Sequence, residues 1–316
     1  MATVLITGGT GMIGTALTKL LCEKGYDVII LTRNPKPRTR NQKPETRNIS
    51  YAKWDIKSQT IDIDAIKKAD HIINLAGANV GEKRWTKKRK REIVESRTLT
   101  GSLIVKALKE NSNNVRSVIS PSGIGWYGED TIASLKHGGF AESEPAYDDF
   151  LGQTCVQWEQ SIEPVKALGK RLVILRCGVV LSNEGGVIRE FKKPLYAGVA
   201  SILGNGKQIM SWIHIDDICR LYLFALENEE MNGIYNAVAH QPVSNKSFVL
   251  EFAKQMRGKY YLPVHVPAFV LKLVVGEMSI EVLKSATVSN EKVRHAGFKF
   301  LYPTIQAAFN QLTKSE

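Results

Sequence analysis

The sequence predicts an α/β fold, in which a doubly wound parallel sheet is joined to a smaller, mostly helical C-terminal substrate lobe. Strand and helix patterns alternate through the first two-thirds of the 316 residues, and a glycine turn separates the first strand from the first helix. Such alternation places helices on both faces of a parallel sheet. Because the alternation ends near residue 240, we expect one domain over residues 1–240 and the lobe over residues 241–316, with a contribution from residues 182–212.

The first strand, turn and helix predict a dinucleotide site. An apolar strand at Thr3–Thr7 runs into the spacing Gly8-x-x-Gly11-x-x-Gly14, and an amphipathic helix follows. Gly8 permits a tight turn, Gly11 lets the backbone approach a pyrophosphate, and Gly14 lets the helix pack closely on the sheet. The N–H groups at the start of the helix then face the phosphates. This unit is typical of the Rossmann fold.

The second strand, Asp27–Leu31, indicates which dinucleotide is bound. A carboxylate just after this strand would hold the 2′-hydroxyl of NAD, but the sequence has Arg33 there. A guanidinium pairs with a 2′-phosphate through charge-assisted, forked hydrogen bonds. Arg33 therefore predicts NADP(H). The alternative is that Arg33 is an ordinary exposed arginine at the start of the basic stretch Lys36–Arg47.

Further strands are predicted at residues 49–54, 71–75, 117–120, 171–176 and 234–238, with helices at about 87–109 and 149–168. Ligands of such folds bind at the carboxyl ends of the parallel strands. The third predicted strand ends at Asp55, and the fourth ends at Leu75-Ala76-Gly77. We expect the cofactor to contact these strand ends and the glycine turn, at Gly8, Gly11, Met12, Ile13, Gly14, Arg33, Asp55, Leu75, Ala76 and Gly77.

The net charge of +12 is concentrated in Lys36–Arg47 and Lys83–Arg91. A run of charge is usually a solvated surface. The sequence has no zinc-finger spacing, aromatic RNA-binding motif or recognisable DNA-reading helix, so we expect no nucleic-acid partner.

The cysteines and the apolar runs bear on the compartment. The four cysteines include no C-x-x-C pair, which predicts neither a zinc site nor a disulfide framework and favours a reducing cytoplasm. No apolar run approaches the ~20 residues of a membrane helix. The N-terminal strand lacks the basic and long apolar regions of a signal peptide. We expect no metal and no membrane partner, and a monomer or homodimer in the cytoplasm.

Several motifs resemble the extended short-chain dehydrogenase/reductase superfamily. They are the glycine turn, Asn74-Leu75-Ala76-Gly77, Ser120-Pro121-Ser122, Trp126-Tyr127-Gly128 and Trp212-Ile213-His214-Ile215-Asp216-Asp217. Arg84-Trp85-Thr86, Met210-Ser211-Trp212 and the segment from Val266-Pro267 to Gly276-Glu277-Met278 resemble a narrower, atypical group called epimerase family proteins, which carry a C-terminal domain of unknown function. The resemblance covers nearly the whole chain. It implies an NADP(H)-binding oxidoreductase or nucleotide-sugar-epimerase-like enzyme that acts on a small molecule.

The chain departs from the superfamily at its usual catalytic pair, Tyr-x-x-x-Lys, in which the lysine lowers the tyrosine pKa and holds the nicotinamide ribose. None of the ten tyrosines has a lysine four residues later. In the corresponding segment, Phe150 or Leu151 replaces the tyrosine, and Thr154 or Cys155 replaces the lysine. This departure raises a second hypothesis, a catalytically silent NADP(H)-binding redox sensor or regulatory protein.

Ser122 and Tyr127 are the catalytic candidates. Ser122 follows the fifth strand, where the superfamily has a hydroxyl that hydrogen-bonds the substrate oxygen, and Tyr127 lies in the loop beyond it. Tyr127 could donate a proton from a new direction. The alternatives are a turn-capping hydroxyl for Ser122 and an aromatic ring that packs the loop for Tyr127.

Other polar residues favour structural interpretations. We expect His214 to hold a structural strand position and Cys155 to be a small buried side chain rather than a nucleophile. The acidic residues Glu142, Glu144, Asp148 and Asp149 are interpreted as a solvated loop. Lys83 and Arg84 could hold an anionic substrate or belong to the surface charge, and the sequence does not decide between these.

Overall fold

The computed structural model describes residues 1–35 and 48–314, so the whole basic stretch Lys36–Arg47 lies outside the described residues. The described strands are β1 (Thr3–Thr7), β2 (Asp27–Thr32), β3 (Ile49–Asp55), β4 (Thr60–Ile61), β5 (His71–Asn74), β6 (Ser117–Gly123), β7 (Arg171–Cys177), β8 (Val179–Ser182), β9 (Val199–Leu203), β10 (Ile209–Met210), β11 (Trp212–His214), β12 (Gly233–Ala237), β13 (Val243–Ser244) and β14 (Leu262–Val266).

The α-helices are α1 (Met12–Glu23), α2 (Ile63–Lys68), α3 (Lys87–Glu110), α4 (Ile132–Lys136), α5 (Phe150–Ile162), α6 (Gly186–Tyr196), α7 (Ile215–Glu227), α8 (Asn245–Arg257), α9 (Ala268–Val275), α10 (Ser279–Leu283), α11 (Glu291–His295) and α12 (Ile305–Lys314). Short 3₁₀ turns cover Ile124–Trp126, Glu163–Leu168 and Gly276–Met278. The helix predicted over 149–168 therefore ends at Ile162. A 3₁₀ turn continues from there because Pro164 removes a backbone donor and opposes the α-helix.

Eight strands form the central sheet in the order β12-β7-β6-β5-β1-β2-β3-β4. Every pair in it is parallel except the β3–β4 edge pair. The strand order reverses between β1 and β5, which is the topology of a doubly wound dinucleotide-binding sheet. The structure confirms the α/β, Rossmann-type fold.

Helices cover both faces of this sheet. Val4 and Ile6 of β1 pack into a hydrophobic cluster with residues of α1 and α7, whereas Leu5 packs into a second cluster with residues of α2 and α3. Successive side chains of a strand point to opposite faces, so a central strand buried on both faces needs consecutive apolar residues. This requirement explains the uninterrupted apolar run that marks β1 in the sequence.

The C-terminal lobe has its own hydrophobic core. Phe191 of α6 and Trp212 of β11 pack in one cluster with Phe248 of α8 and Phe309 of α12. The chain from residue 181 to 212 therefore shares a core with residues 239–312. The boundary between residues 240 and 241 stays a prediction.

The mostly helical region expected after residue 241 also contains two strands that the sequence did not predict, β13 and β14. Strand β14 pairs in parallel with β9, from Leu262 against Val199 to Val266 against Leu203. Four of its five side chains are exposed, and Pro263 cannot donate a backbone hydrogen bond. An exposed edge strand with a proline lacks the alternating pattern by which a strand is recognised. Among the described helices, none is long and apolar enough to cross a membrane.

His71 gives the sheet a dependence on pH. Its Nδ1 lies 2.7 Å from the Ser117 hydroxyl and its Nε2 lies 3.2 Å from the Arg116 guanidinium, so the neutral ring is the form that fits. Burial, together with the Arg116 charge, lowers the pKa of His71 from 6.5 to about 4. The unfolded chain therefore takes up a proton more readily than the folded protein between these two pH values.

The neutral His71 ring therefore contributes to the free energy of unfolding. We expect this contribution to be complete above pH 6.5 and to be lost as pH falls towards 4. The loss is about 1 to 3 kcal/mol after allowance for solvent screening. Urea unfolding at pH 7.5 and pH 5 measures it, with His71→Gln as the matched variant that lacks the titrating ring. An equal fall in both proteins would assign the effect to other groups.

Candidate functional site

The glycine turn forms a cradle at the start of α1. Gly8 has φ +67°, and a Cβ on it would lie 2.8 Å from the carbonyl carbon of Leu75. A Cβ on Gly14 would lie 2.2 Å from the Gly8 carbonyl oxygen. The fold itself therefore requires glycine at both positions.

Gly11 differs from these two, because a Cβ on it would approach a single atom of the described chain. It has φ −80°, which any residue adopts, and a Cβ there would meet only the Gly8 oxygen, at 3.3 Å. Gly11 caps α1 without a side-chain hydrogen bond, so the first N–H groups of the helix, at Met12 and Ile13, have no side-chain acceptor at the cap and no carbonyl one turn earlier. These observations fit a pyrophosphate on the open side of Gly11.

Hydrogen bonds join this cradle to the end of β5. The Thr7 hydroxyl donates to Asn74 Oδ1 at 2.8 Å and accepts from the Ala76 N–H at 3.0 Å, and the Leu75 N–H donates to the Thr7 carbonyl at 3.1 Å. Gly77 follows directly. The predicted cofactor residues of the first strand, the first helix and β5 are thus brought to one edge of the sheet.

Arg33 and Asp55 lie at the ends of β2 and β3, beside this edge. Arg33 is exposed, and it forms no hydrogen bond or ion pair with another residue of the described chain. Asp55 Oδ1 accepts the N–H groups of Lys57 at 2.9 Å and Ser58 at 3.4 Å, and these bonds lower the pKa of its carboxyl. This oxygen shapes the β3–β4 turn, so a contact of Asp55 with the cofactor stays a prediction.

Helix α5 presents Leu151 and Cys155 towards the end of β6. A Cβ on Gly125 would touch the Leu151 side chain at 3.0 Å, and the Cys155 thiol lies 3.5 Å from the Gly123 carbonyl oxygen. Leu151 and Cys155 are four residues apart on this face of the helix. Burial raises the pKa of the Cys155 thiol to about 11, which fits the expected small buried side chain.

Ser122 lies within the same contact region. Its hydroxyl adjoins the Cys155 thiol. The side chain is only 3% exposed, and its oxygen has no hydrogen-bond partner of ordinary geometry in the described part of the chain. A buried hydroxyl without a partner is costly, which is consistent with a ligand oxygen as its partner.

Tyr127, in contrast, is fixed within the protein. Its ring is 1% exposed, its hydroxyl donates to Asn236 Oδ1 at 2.7 Å, and it accepts from Arg176 Nη1 at 3.1 Å. Burial raises its pKa to about 12. Arg176 in turn forms a forked ion pair with Glu159, at 2.8 and 3.0 Å. This geometry favours the structural interpretation of Tyr127, and its role as a proton donor stays a prediction.

Sequence and structure comparisons agree with this geometry. The model of the NAD dependent epimerase/dehydratase family matches residues 4–237. The chain belongs to this NAD dependent epimerase/dehydratase family. The model of a domain of unknown function, DUF1731, matches residues 266–312.

Relatives of the same epimerase family extend over the whole chain. An epimerase family protein of Staphylococcus aureus is 32% identical over 314 residues, which are 99% of this chain and 100% of that protein. One from Staphylococcus saprophyticus is 33% identical over 308 residues, 98% of each chain. The predicted membership in the group of epimerase family proteins with a C-terminal domain of unknown function is thereby confirmed.

Solved structures show the same fold. A human epimerase family protein, solved with NADPH, superposes with a TM-score of 0.85 at 28% identity, over 99% of this chain and 100% of that chain. A nucleoside-diphosphate sugar epimerase from Corynebacterium glutamicum superposes with a TM-score of 0.74 at 30% identity, over 100% of this chain and 59% of that chain.

The DUF1731 segment of this epimerase family member contacts α3 and the start of α5 through ion pairs. Lys284 contacts Asp149 at 2.6 Å and Glu281 at 2.7 Å, and Lys90 of α3 contacts Glu277. Asp149 also caps α5 by accepting the Gly152 N–H at 2.7 Å.

The acidic loop before α5 is thus partly structural, and its interpretation as a wholly solvated loop is wrong. Asp149 pairs with Lys284 of the lobe, and Glu142 Oε1 accepts the Asn236 N–H at 2.7 Å. Glu144 and Asp148 are exposed, as expected. Sequence reasoning missed the two committed carboxylates because their partners lie far along the chain.

Asp130 adds a second attachment of the lobe. Its Oδ1 accepts the Thr287 N–H at 2.6 Å, and its Oδ2 accepts the hydroxyls of Ser285 at 2.8 Å and Thr287 at 3.0 Å. The loop beyond β6 and the DUF1731 segment are therefore held together at two acidic residues, Asp130 and Asp149.

His214 and Arg84 complete the list of candidates. His214 is buried at the start of α7, where Nδ1 accepts the Asp216 N–H at 3.1 Å and Nε2 lies 3.0 Å from Gln311 Oε1. Burial lowers its pKa, so the neutral ring acts as a cap. The Arg84 guanidinium would lie 3.1 Å from a Cβ on Gly276, between the two lobes, while Lys83 is exposed.

Proposed function

We propose that this protein binds NADP(H) and is an oxidoreductase or a nucleotide-sugar-epimerase-like enzyme for a small molecule. The observation that carries the proposal is the open side of Gly11 at the uncapped start of α1, combined with the exposed Arg33 at the end of β2. Met12 and Ile13 N–H groups would hold the pyrophosphate. Arg33 would hold the 2′-phosphate. The human relative solved with NADPH supports this choice of dinucleotide.

The nicotinamide half would lie over the ends of β5 and β6. The bound cofactor supplies hydride transfer. Ser122 would donate its unpartnered hydroxyl to a substrate oxygen, because that hydroxyl is buried and has no partner among the described residues. The proton would come from a source other than a Tyr-x-x-x-Lys pair, such as a water held by Ser122 or the Tyr127 hydroxyl. Leu151 and Cys155 occupy the face of α5 that meets the end of β6.

Replacement Arg33→Asp tests the choice of dinucleotide. We expect it to weaken NADPH binding at least tenfold, equivalent to about 1.4 kcal/mol or more, and to favour NADH, because a carboxylate repels the 2′-phosphate and accepts the 2′-hydroxyl. Fluorescence titration with both cofactors measures this. Arg91→Gln, which alters an exposed ion pair with Glu95, is the matched control. A wild-type preference for NADH would refute the assignment.

A second candidate is a silent NADP(H)-binding regulatory protein. It is favoured by the poor proton exchange of Leu151 and Cys155. Leu151 has no exchangeable proton on its side chain, and the Cys155 thiol, whose pKa is about 11, does not exchange its proton readily at neutral pH. Transfer of deuterium from a nicotinamide-labelled cofactor to members of a carbonyl and sugar-nucleotide panel decides between the two. Stereospecific transfer supports the enzyme, and tight NADPH binding with no transfer supports the regulatory protein.

The proposed binding of NADP(H) and the cysteines both bear on the compartment in which the protein works. All four cysteines are free thiols, and Cys155 and Cys219 are buried. Four cysteines without a disulfide partner and a site for NADP(H) would both suit the cytoplasm, so we propose that compartment.

A further inference from the structure

Arg97 of α3 is a buried cation at the edge of the site. Its side chain is packed so that the whole residue is 9% exposed, and its guanidinium carbon lies 4.7 Å from the centre of the Trp158 ring. Nη1 donates to the carbonyl oxygens of Ala78 at 3.0 Å and Ile93 at 2.9 Å. Nε and Nη2 make no hydrogen bond with the rest of the described chain.

No carboxylate compensates this charge within residues 1–35 and 48–314. The other buried arginines contrast with it, because Arg89 pairs with Glu82 and Glu92 and Arg176 pairs with Glu159. Burial lowers the pKa of Arg97 to about 10, so the group is still charged at neutral pH. Charged side chains are almost never buried unless they are paired. A bound ligand can supply the missing partner.

Other polar groups around Arg97 are also unpartnered. Both the Ser122 hydroxyl and the Trp158 indole N–H are buried without a hydrogen-bond partner in the described part of the chain. Cys155 connects them, since its thiol adjoins Ser122 and interacts electrostatically with Arg97. Two buried donors without acceptors beside a cation that has no carboxylate partner indicate an acceptor that comes with the ligand.

The position of Arg97 indicates which part of a ligand it meets. Its guanidinium carbon would lie 3.4 Å from a Cβ on Gly77, and it holds the carbonyl of the next residue, Ala78. Gly77 follows β5, on the far side of the sheet's reversal point from Arg33 and the end of β2. A dinucleotide whose 2′-phosphate lies at Arg33 would therefore extend its other half towards Gly77 and Ser122.

We propose that Arg97 binds an oxygen acceptor on the nicotinamide half of NADP(H). Arg97 of α3 would thus take the place of the lysine of the Tyr-x-x-x-Lys pair, which α5 lacks. The proposal rests on the proposed function. The Cys155 thiol adjoins Ser122 and interacts electrostatically with Arg97, so the guanidinium is a positive charge on the Ser122 side of the site. The recognised chemistry is a ribose hydroxyl or phosphate oxygen that accepts from Nε or Nη2.

Two probes separate this role from a structural one in the full-length protein. NADPH contains the nicotinamide half, and 2′,5′-ADP lacks it. We expect Arg97→Gln and Arg97→Met to weaken NADPH at least tenfold while 2′,5′-ADP stays within twofold of wild type. Arg97→Lys, which keeps the charge but loses the fork, would lie between. Arg91→Gln on the exposed face of the same helix is the control.

Two results would overturn the proposal. Unchanged NADPH affinity in a folded neutral variant would show that the charge contacts no part of the cofactor, and equal losses for both probes would show a general distortion. If neither neutral variant folds, Arg97→Lys decides, since a threefold or larger loss for NADPH alone supports the contact and an unchanged affinity refutes it. Wild-type protein that binds neither probe would refute the proposed function itself.

Discussion

Replacement Gly11→Ala is expected to abolish measurable NADPH binding, with a loss of 100-fold or more, while the protein stays folded. The new Cβ meets only the Gly8 carbonyl oxygen inside the protein, at 3.3 Å, and the backbone there, with φ −80°, suits alanine. It would instead fill the space through which a pyrophosphate approaches the start of α1. NADPH fluorescence titration and urea unfolding, run on the same sample, measure the two effects separately.

Two further glycine variants are the controls for this experiment, one expected to be neutral and one expected not to fold. Gly81→Ala places a Cβ at an ordinary van der Waals distance, 3.7 Å from Asn79 Oδ1, and should change neither binding nor stability. Gly14→Ala forces a Cβ to within 2.2 Å of the Gly8 carbonyl oxygen and should prevent normal folding. Wild-type affinity in the Gly11 variant would mean that the cofactor does not cross the turn.

Loss of the Glu159 carboxylate is expected to lower the stability of the folded protein strongly. Replacement Glu159→Gln leaves the Arg176 guanidinium, which is 1% exposed, buried and unpaired. Such a change costs about 3 to 5 kcal/mol. It would also loosen the loop at Tyr127, because Arg176 donates to the Tyr127 hydroxyl and lies 3.6 Å from the centre of the Trp126 ring. Urea unfolding at pH 7 gives the free energy of unfolding.

The double variant Glu159→Met with Arg176→Met is the control for this effect. Because it removes both charges, it should be more stable than Glu159→Gln alone. A loss below about 1 kcal/mol in the single variant would show that water reaches the guanidinium and that the pair is not isolated from solvent.

The edge of the sheet that carries the glycine turn and the ends of β2 and β5 could be predicted because its determinants are local. The glycine spacing, the position of Arg33 after β2 and the sequence after β5 are each properties of a few consecutive residues. Parallel pairing then brings the strand ends to one edge without further information. The structure places Gly8, Leu75 and Ala76 in direct contact, as this argument requires.

The substrate side could not be predicted, because its determinants are distant in sequence. Tyr127 was a candidate proton donor, yet its partner Asn236 lies 109 residues away. Asp149 and its partner Lys284 are 135 residues apart. Arg97 lies in a helix whose other arginines and lysines are mostly exposed, so only burial reveals that it has no counter-charge. Strand β14 could not be predicted because an exposed edge strand that contains Pro263 has no alternating pattern.

The attachment at Asp130 means that the DUF1731 segment and the loop beyond β6 form one hydrogen-bonded unit. Asp130 binds Thr287, and Phe140 exchanges backbone hydrogen bonds with Thr287 and Ser289, at 2.8 and 3.0 Å. A substitution at Thr287 would therefore also disturb the loop that carries Tyr127, because it would remove or weaken the contacts of Thr287 with Asp130 and Phe140. A chimera that takes the C-terminal segment from one relative must take residues 124–149 from the same relative.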